Sequence, residues 1–285
     1  MKTKILVCCH KKCQLPNVEP YLPIHVGKAL SNVDFGIQGD DTGDNISLKN
    51  ESYCELTGMY WAWKNLKGVD VIGLCHYRRF FDFHHQCESI YPYTIFKTSE
   101  YNNVDLTVPE MIFKRLNKNS IVVASPIHYE MSLFNDYCRC HISDDIRLLE
   151  RIIEDRNDQQ SLAAFRKVMF FDNRLCHYNM FLMTWELYCE YCEWLFGILE
   201  EVEEKTDISY YNSVQKRIYG YMAERLLNVF IELKKLRVIE KKVIWFNDGK
   251  DSRRSKVSFL FHKILNDLSF IIGQPRGYLH RLLYY

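Results

Sequence analysis

The run VIGLCHYRRFF, residues 71–81, ends an apolar segment abruptly in His76, Tyr77, Arg78 and Arg79. If extended backbone continues through it, His76 and Arg78 share one face and Tyr77 and Arg79 the other. A guanidinium set at such a strand end can clamp phosphate oxygens by paired hydrogen bonds. The plain alternative is a pair of solvated strand-end charges, with Asp82 as their partner. A second group is GDDTGDNIS, residues 39–47, dense in turn formers and carboxylates. Its aspartates resemble calcium ligands, but with Asp40 as position one, position six is Asn45 and not the glycine of a twelve-residue calcium loop. Asp44 and Asn45 could instead read ribose or sugar hydroxyls. A structural turn and a metal-dependent phosphate-ester hydrolysis site are the other two readings of this loop.

Three further places hold polar residues in apolar surroundings. His10, Lys11 and Lys12 follow the run KILVCC. In LCHYNMFLM, residues 175–183, His177 and Asn179 fall on one face of an expected strand and need partners once buried, in a core network or a ligand. In GYMAERLLNVFIELKK, Glu224 points away from the stripe formed by Met222, Leu226, Val229, Phe230 and Leu233, so it is either a surface carboxylate or a catalytic base. Glu55 carries a similar ambiguity. Ser52-x-x-Glu55 is a capping-box pattern, and the carboxylate could satisfy backbone donors or a ligand equally well.

The elements that must position these residues alternate. Strands are expected at 4–9, 70–76, 121–125 and 175–183, and helices at 52–66, 144–156, 158–170, 185–205 and 213–235, from apolar periodicity. That order indicates an α/β fold with a mainly parallel sheet. Ligands in such sheets collect beyond the carboxyl ends of the strands, where His10, His76 and the residues Ser125 to His128 fall. No repeat or linker divides the chain.

With 37 Lys and Arg against 36 Asp and Glu, the chain lacks the positive excess of a nucleic-acid binder. Its basic start has no cleavage site, no apolar run is long enough to span a membrane, and its eleven cysteines are odd in number, so a cytoplasmic protein with free thiols is expected. Cys138, Cys140 and His141 with Cys189 and Cys192 could pool zinc ligands, but Cys189 and Cys192 lie in a helical pattern without the turn of a zinc knuckle.

Taken together and in order, GDDTGDNISLKNESYCELTGMYWAWKN, VIGLCHYRRFF, CHYNMFLM and YGYMAERLLNVF closely resemble a bacterial capsular and exopolysaccharide synthesis family. It is known as a domain of unknown function and includes galactofuranosyltransferase domains of O-antigen assembly. The resemblance runs from about residue 4 to 235. It implies a single GT-A-like domain over residues 1–250, followed by a basic tail, 251–285. The implied reaction is inverting transfer of a sugar, galactofuranose, from a uridine diphosphate donor to a growing, lipid-linked surface polysaccharide. In layout the helix-then-strand segment is similar to glycogenin-like transferases, where the strand ends in a metal-binding Asp-x-Asp. Here His76-Tyr77-Arg78 stands in that place, so neither metal nor other cofactor is expected.

On the family reading, His10, Lys11, Asp44, Asn45, Glu55, His76, Arg78 and Arg79 bind the donor, and His177 and Asn179 the acceptor. Arg78, with Arg79 or His76, serves the leaving group. Glu224 is the general base, belonging to a matching motif on the side where acceptors bind in this fold, with Asp41 and Asp44 as rivals. The other reading of the same residues is a catalytically silent nucleotide-binding scaffold of a polysaccharide assembly complex.

The tail is a separate expectation. From Lys250 onward seven Lys and Arg stand against two Asp, a net of +5 in a chain of +1. A helix over 255–272 would carry Phe259, Leu260, Ile264, Leu268, Ile271 and Ile272 on an apolar face. That face would meet an anionic membrane or pack back on the domain.

Overall fold

The apolar runs after Lys2 and Asp70 lie side by side as the centre of one sheet. The structure is a computed structural model that describes residues 1–87, 90–249 and 259–272. In chain order its strands and helices are β1 (Thr3–Cys9), β2 (Tyr21–His25), β3 (Gln38–Gly39), α1 (Asn50–Tyr53), α2 (Leu56–Asn65), β4 (Val71–His76), β5 (Arg79–Phe81), β6 (Tyr93–Phe96), α3 (Glu110–Arg115), β7 (Ser120–Ala124), β8 (Ile127–His128), α4 (Leu133–Cys140), α5 (Ser143–Asp155), α6 (Gln159–Phe171), β9 (Arg174–Leu175), β10 (Phe181–Thr184), α7 (Trp185–Glu204), α8 (Ile218–Leu233), β11 (Arg237–Lys241) and β12 (Val243–Phe246). A last helix, α9, covers 259–272.

The main sheet has the order β11-β7-β10-β4-β1-β2-β3. Its β1–β2, β1–β4, β2–β3 and β7–β11 pairs are parallel, and β10 is inserted antiparallel between β4 and β7. β1 and β4 are buried on both faces, which is why their sequences are continuous apolar runs and not alternations. Successive residues still face opposite layers. Leu6, Cys8, Ile72, Leu74, Ile121 and Val123 pack under the helices, whereas Ile5, Val7, Cys9, Val71, Cys75 and Val122 meet β5, β12 and α3 through Phe80, Ile244, Phe246 and Ile112. At Gly73 a Cβ would stand 2.9 Å from the Phe181 carbonyl oxygen, so only glycine lets β10 approach β4 this closely.

The expected α/β class with a mainly parallel sheet holds, and three elements differ in ways that matter for the site. The helix expected over 52–66 is broken: Cys54 sits at φ 53°, ψ −130° between α1 and α2. The strand expected over 175–183 exists only at its ends, because Tyr178 and Asn179 take positive φ of 74° and 50°. The strand through His76 does not continue either. Tyr77 and Arg78 form a two-residue turn, and Arg79 returns opposite His76 as the first residue of β5.

All eleven cysteines are unpaired thiols. Among the described residues no three His, Cys, Asp or Glu side chains are grouped so as to hold a metal ion. No described helix is long and apolar enough to cross a membrane.

Candidate active site

A cavity of about 750 Å³ opens at the carboxyl ends of β1 and β4. His10 enters it from the end of β1, and His76, Tyr77, Arg78 and Arg79 from the β4–β5 turn. The α1–α2 break contributes Glu51, Cys54 and Glu55, the segment leading into α8 contributes Lys216 and Arg217, and Tyr178 and Glu224 complete the far wall.

The turn is the cationic side. Arg78 lies over the Tyr77 ring at 5.0 Å, and Arg79 lies between Tyr178 and Trp245 at 4.6 and 4.9 Å. The aromatic faces hold both guanidiniums, and Arg79 also hydrogen-bonds the Tyr178 side chain. Among the described residues neither arginine pairs with a carboxylate, and the Nε of each, like the buried Tyr77 hydroxyl, is without a hydrogen-bond partner. Asp82, the partner of the plain reading, is occupied elsewhere: its two oxygens accept from the Gln86 and Cys87 amides at 3.0 and 2.7 Å. Two guanidiniums on a cavity wall without a carboxylate partner among the described residues could serve an anion there.

His76 is not one of the cations. Its Nε2 donates to the Tyr178 carbonyl at 2.6 Å, and burial pushes the imidazole pKa down, so the ring is neutral. Its part is to tie the β4–β5 turn to the irregular segment before β10.

The acidic side is built by two long-range contacts. Glu224 Oε1 accepts from the Tyr178 amide at 2.9 Å, and Oε2 faces Arg225 at 3.4 Å and His177 Nδ1 at 3.8 Å. Arg225 is itself buried and bridges to Asp136 on α4, which fixes the carboxylate against two helices. Glu55 is the N-cap residue of α2, but its side chain makes no capping hydrogen bond. Its Oε1 accepts from Asn179 Nδ2 at 2.7 Å, and Ser52 instead donates to the Lys49 carbonyl. The strained Cys54 is what turns Glu55 toward the cavity. The Cys54 thiol stands 3.3 Å from Arg217 Nε, and burial, then the Glu55 charge, push its pKa up to about 12, so it is not a thiolate nucleophile near neutrality.

Of the residues singled out in the sequence, His10, Glu55, His76, Arg78, Arg79 and Glu224 line the cavity together. Lys11 stands at its edge, with Nζ 5.7 Å from the Tyr77 ring. His177 and Asn179 do not line it. They lie behind the wall, where His177 Nε2 meets the Tyr129 hydroxyl at 2.7 Å and Asn179 holds Glu55. From there His177 Nδ1 stands 3.8 Å from Glu224 Oε2.

Asp41, Asp44 and Asn45 are also outside the lining. Asp44 accepts from Tyr60, and the Asn45 side chain is spent on the Gly43 carbonyl and the Ser47 amide. The carboxylates of the cavity are Glu51, Glu55 and Glu224, and Asp41 and Asp44 stand apart from it. Sequence reasoning missed Lys216, Arg217, Cys54 and Tyr178. Lys216 and Arg217 were visible as a basic pair ahead of the Glu224 motif, but on a helix start such a pair reads as solvated charge.

A family profile described as "Domain of unknown function (DUF4422)" matches residues 4–235. No curated protein matches the chain. Among solved structures the chain is similar to one described as WbbM, a bifunctional glycosyltransferase in its apo form. The TM-score is 0.78 and the identity 29%, over 90% of this chain and 48% of that one. The chain therefore spans about half the length of that protein, and it shares its α/β architecture.

Proposed function

We propose that this chain, which belongs to the DUF4422 family, is an inverting glycosyltransferase that moves a sugar from a nucleoside diphosphate donor to a saccharide acceptor. The observation that carries the reading is the β4–β5 turn, where Arg78 and Arg79 line a large cavity and, among the described residues, have no carboxylate partner. A diphosphate is the anion such a turn fits. Its oxygens accept the forked donors, and its charge offsets the two guanidiniums. Lys216 and Arg217, on the other side of the opening, would meet the same charge from the facing wall.

In the step we propose, the acceptor hydroxyl oxygen forms a bond to the anomeric carbon as the bond from that carbon to the diphosphate oxygen breaks. The hydroxyl proton passes to a Glu224 oxygen, and the negative charge that grows on the departing diphosphate is taken up by Arg78 and Arg79. Glu224 suits the base because the Tyr178 amide and Arg225 hold it in one orientation while it faces the cavity. Cations from the protein stand where related folds recruit a metal, so transfer by this route needs none. The similarity to a bifunctional glycosyltransferase supports the reaction class, and the family reading adds uridine diphosphate galactofuranose as donor and a lipid-linked polysaccharide as acceptor.

Calorimetric titration with uridine diphosphate, with and without chelator, followed by a transfer assay over a panel of nucleotide sugars, tests the proposal. Binding and turnover that survive chelation are expected. Absence of binding by any nucleoside diphosphate would overturn it, and binding without turnover on any acceptor would favour the scaffold. Activity lost in chelator and restored by manganese would overturn the metal-free route.

A further inference from the structure

Helix α9 is attached by its polar edge, with its apolar side turned to solvent. Asp267 Oδ1 is 2.9 Å from His128 Nδ1 and accepts from Asn173 Nδ2 at 2.9 Å, and Asn266 Nδ2 donates to the His128 carbonyl at 3.0 Å. Phe259, expected on the free face, packs instead against Tyr91 at 4.1 Å between ring centres. On the opposite side Leu260, Phe261, Ile264, Leu265, Leu268 and Ile271 are between 40% and 64% exposed. At about 100° per residue these six fall within a single arc of about 140°, the width of a face that is normally buried. Elsewhere among the described residues the exposed large apolar side chains are scattered along the chain and form no comparable run.

We propose that this face of α9 docks on an anionic lipid bilayer, with the helix lying in the plane of the interface. Charge decides between a bilayer and a second copy of the chain. The segment from Lys250 to the end carries a net of +5, which leaves the remainder of the chain at −4. Pairing α9 with its copy would bring two strongly positive segments together, whereas an anionic headgroup layer attracts that segment while giving the apolar arc a medium to enter. On the same count Lys263 falls between Asn266 and Asp267, on the attached side, so the attraction to headgroups comes from the basic residues that flank α9 in the sequence.

The attachment also orients the cavity. Next to His128, Tyr129 contacts His177, which stands 3.8 Å from Glu224, so α9 is joined to the Glu224 side of the site. The inference rests on the apolar arc of α9 and on the net +5 of the segment from Lys250 onward, and it stands whether or not the chain transfers sugars.

Flotation of the full chain with vesicles of phosphatidylglycerol and phosphatidylethanolamine, against phosphatidylcholine alone, provides the test. The chain should float with the anionic vesicles, roughly tenfold more than with neutral ones, and the excess should vanish in high salt. Ile264→Glu with Leu268→Glu should abolish flotation and leave thermal unfolding and nucleotide titration unchanged, since both side chains are exposed in the free protein. Failure of the native chain to float would overturn the proposal, as would undiminished flotation of the double variant. A concentration-dependent dimer that the double variant dissolves, without flotation, would assign the face to a second copy instead.

Discussion

Two loops of this protein concentrate charge beside a strand, and only one of them faces the cavity. In the acidic loop at 39–47, Asp40 is fully buried, and its oxygens accept from the Gly27 and Lys28 amides at 2.9 and 3.0 Å and from the Ser47 hydroxyl. Gly27 is at φ 69°, and a Cβ there would lie within 2.8 Å of Asn50, so the cradle for Asp40 requires glycine. Asp44 and Asn65 fasten the loop to α2. Its polar groups are largely consumed by the loop's own architecture. In the turn at 77–79, by contrast, the arginine Nε atoms and the Tyr77 hydroxyl are left without partners against aromatic walls. The difference teaches that density of charge does not mark a site; unspent hydrogen-bonding capacity does.

The comparison can be broken by substitution on either side of it. The largest effect is expected at the carboxylate opposite the turn. Glu224→Gln should lower turnover by about two orders of magnitude or more, the scale of a lost general base, while uridine diphosphate still binds. Turnover near normal in a folded variant would move the role to Glu51 or Glu55. Arg78→Ala comes next. Losing charge-assisted hydrogen bonds of about 1.5–3 kcal/mol should weaken nucleotide affinity and turnover by roughly ten- to a hundredfold, with Arg78→Lys restoring only part. If Arg78→Ala binds and turns over normally, the turn is a solvated strand end after all.

On the acidic loop the expected effects are of another kind. Asp40→Ala leaves two amides and a hydroxyl without their acceptor, and denaturant unfolding should show a loss of about 1–3 kcal/mol. Asp44→Ala, at an exposed position, should change turnover by no more than about twofold. A collapse of turnover in a stable Asp44→Ala protein would reverse the assignment of the two loops.

The smallest effect concerns the neutral histidines behind the turn. Burial lowers the pKa of both His76 and His177 in the folded protein. As pH falls below the ordinary histidine value of about 6.5, the unfolded chain takes up protons that the folded one refuses, so stability is level above that value and declines below it. Thermal unfolding followed from about pH 7.5 to 5 should show this decline, less steep in His177→Gln. An unchanged slope in the variant would mean that His177 is not held neutral by its burial.

Much of the scaffold was legible without coordinates. β1, β4 and β7 begin or end within one residue of their apolar runs, and α5, α6 and α7 follow the helical periodicity as closely. Those features depend on local backbone geometry and on which side chains avoid water, and both are written in the order of residues. The sequence by itself also singled out Arg78, Arg79 and Glu224, and the folded chain sets all three around one cavity. What it could not determine is which polar groups spend their hydrogen bonds on one another.

The break at Cys54 brings Glu55 to Asn179 across 124 positions of the chain, and Glu224 meets the Tyr178 amide across 46. Such pairings placed His177 and Asn179 behind the cavity wall and tied His76 to the Tyr178 carbonyl, while Asp41 and Asp44 lie exposed outside the lining. A hydrogen bond or a desolvation cost depends on neighbours that only the folded chain assembles, so the tertiary structure alone decided which charges were left free to meet a ligand.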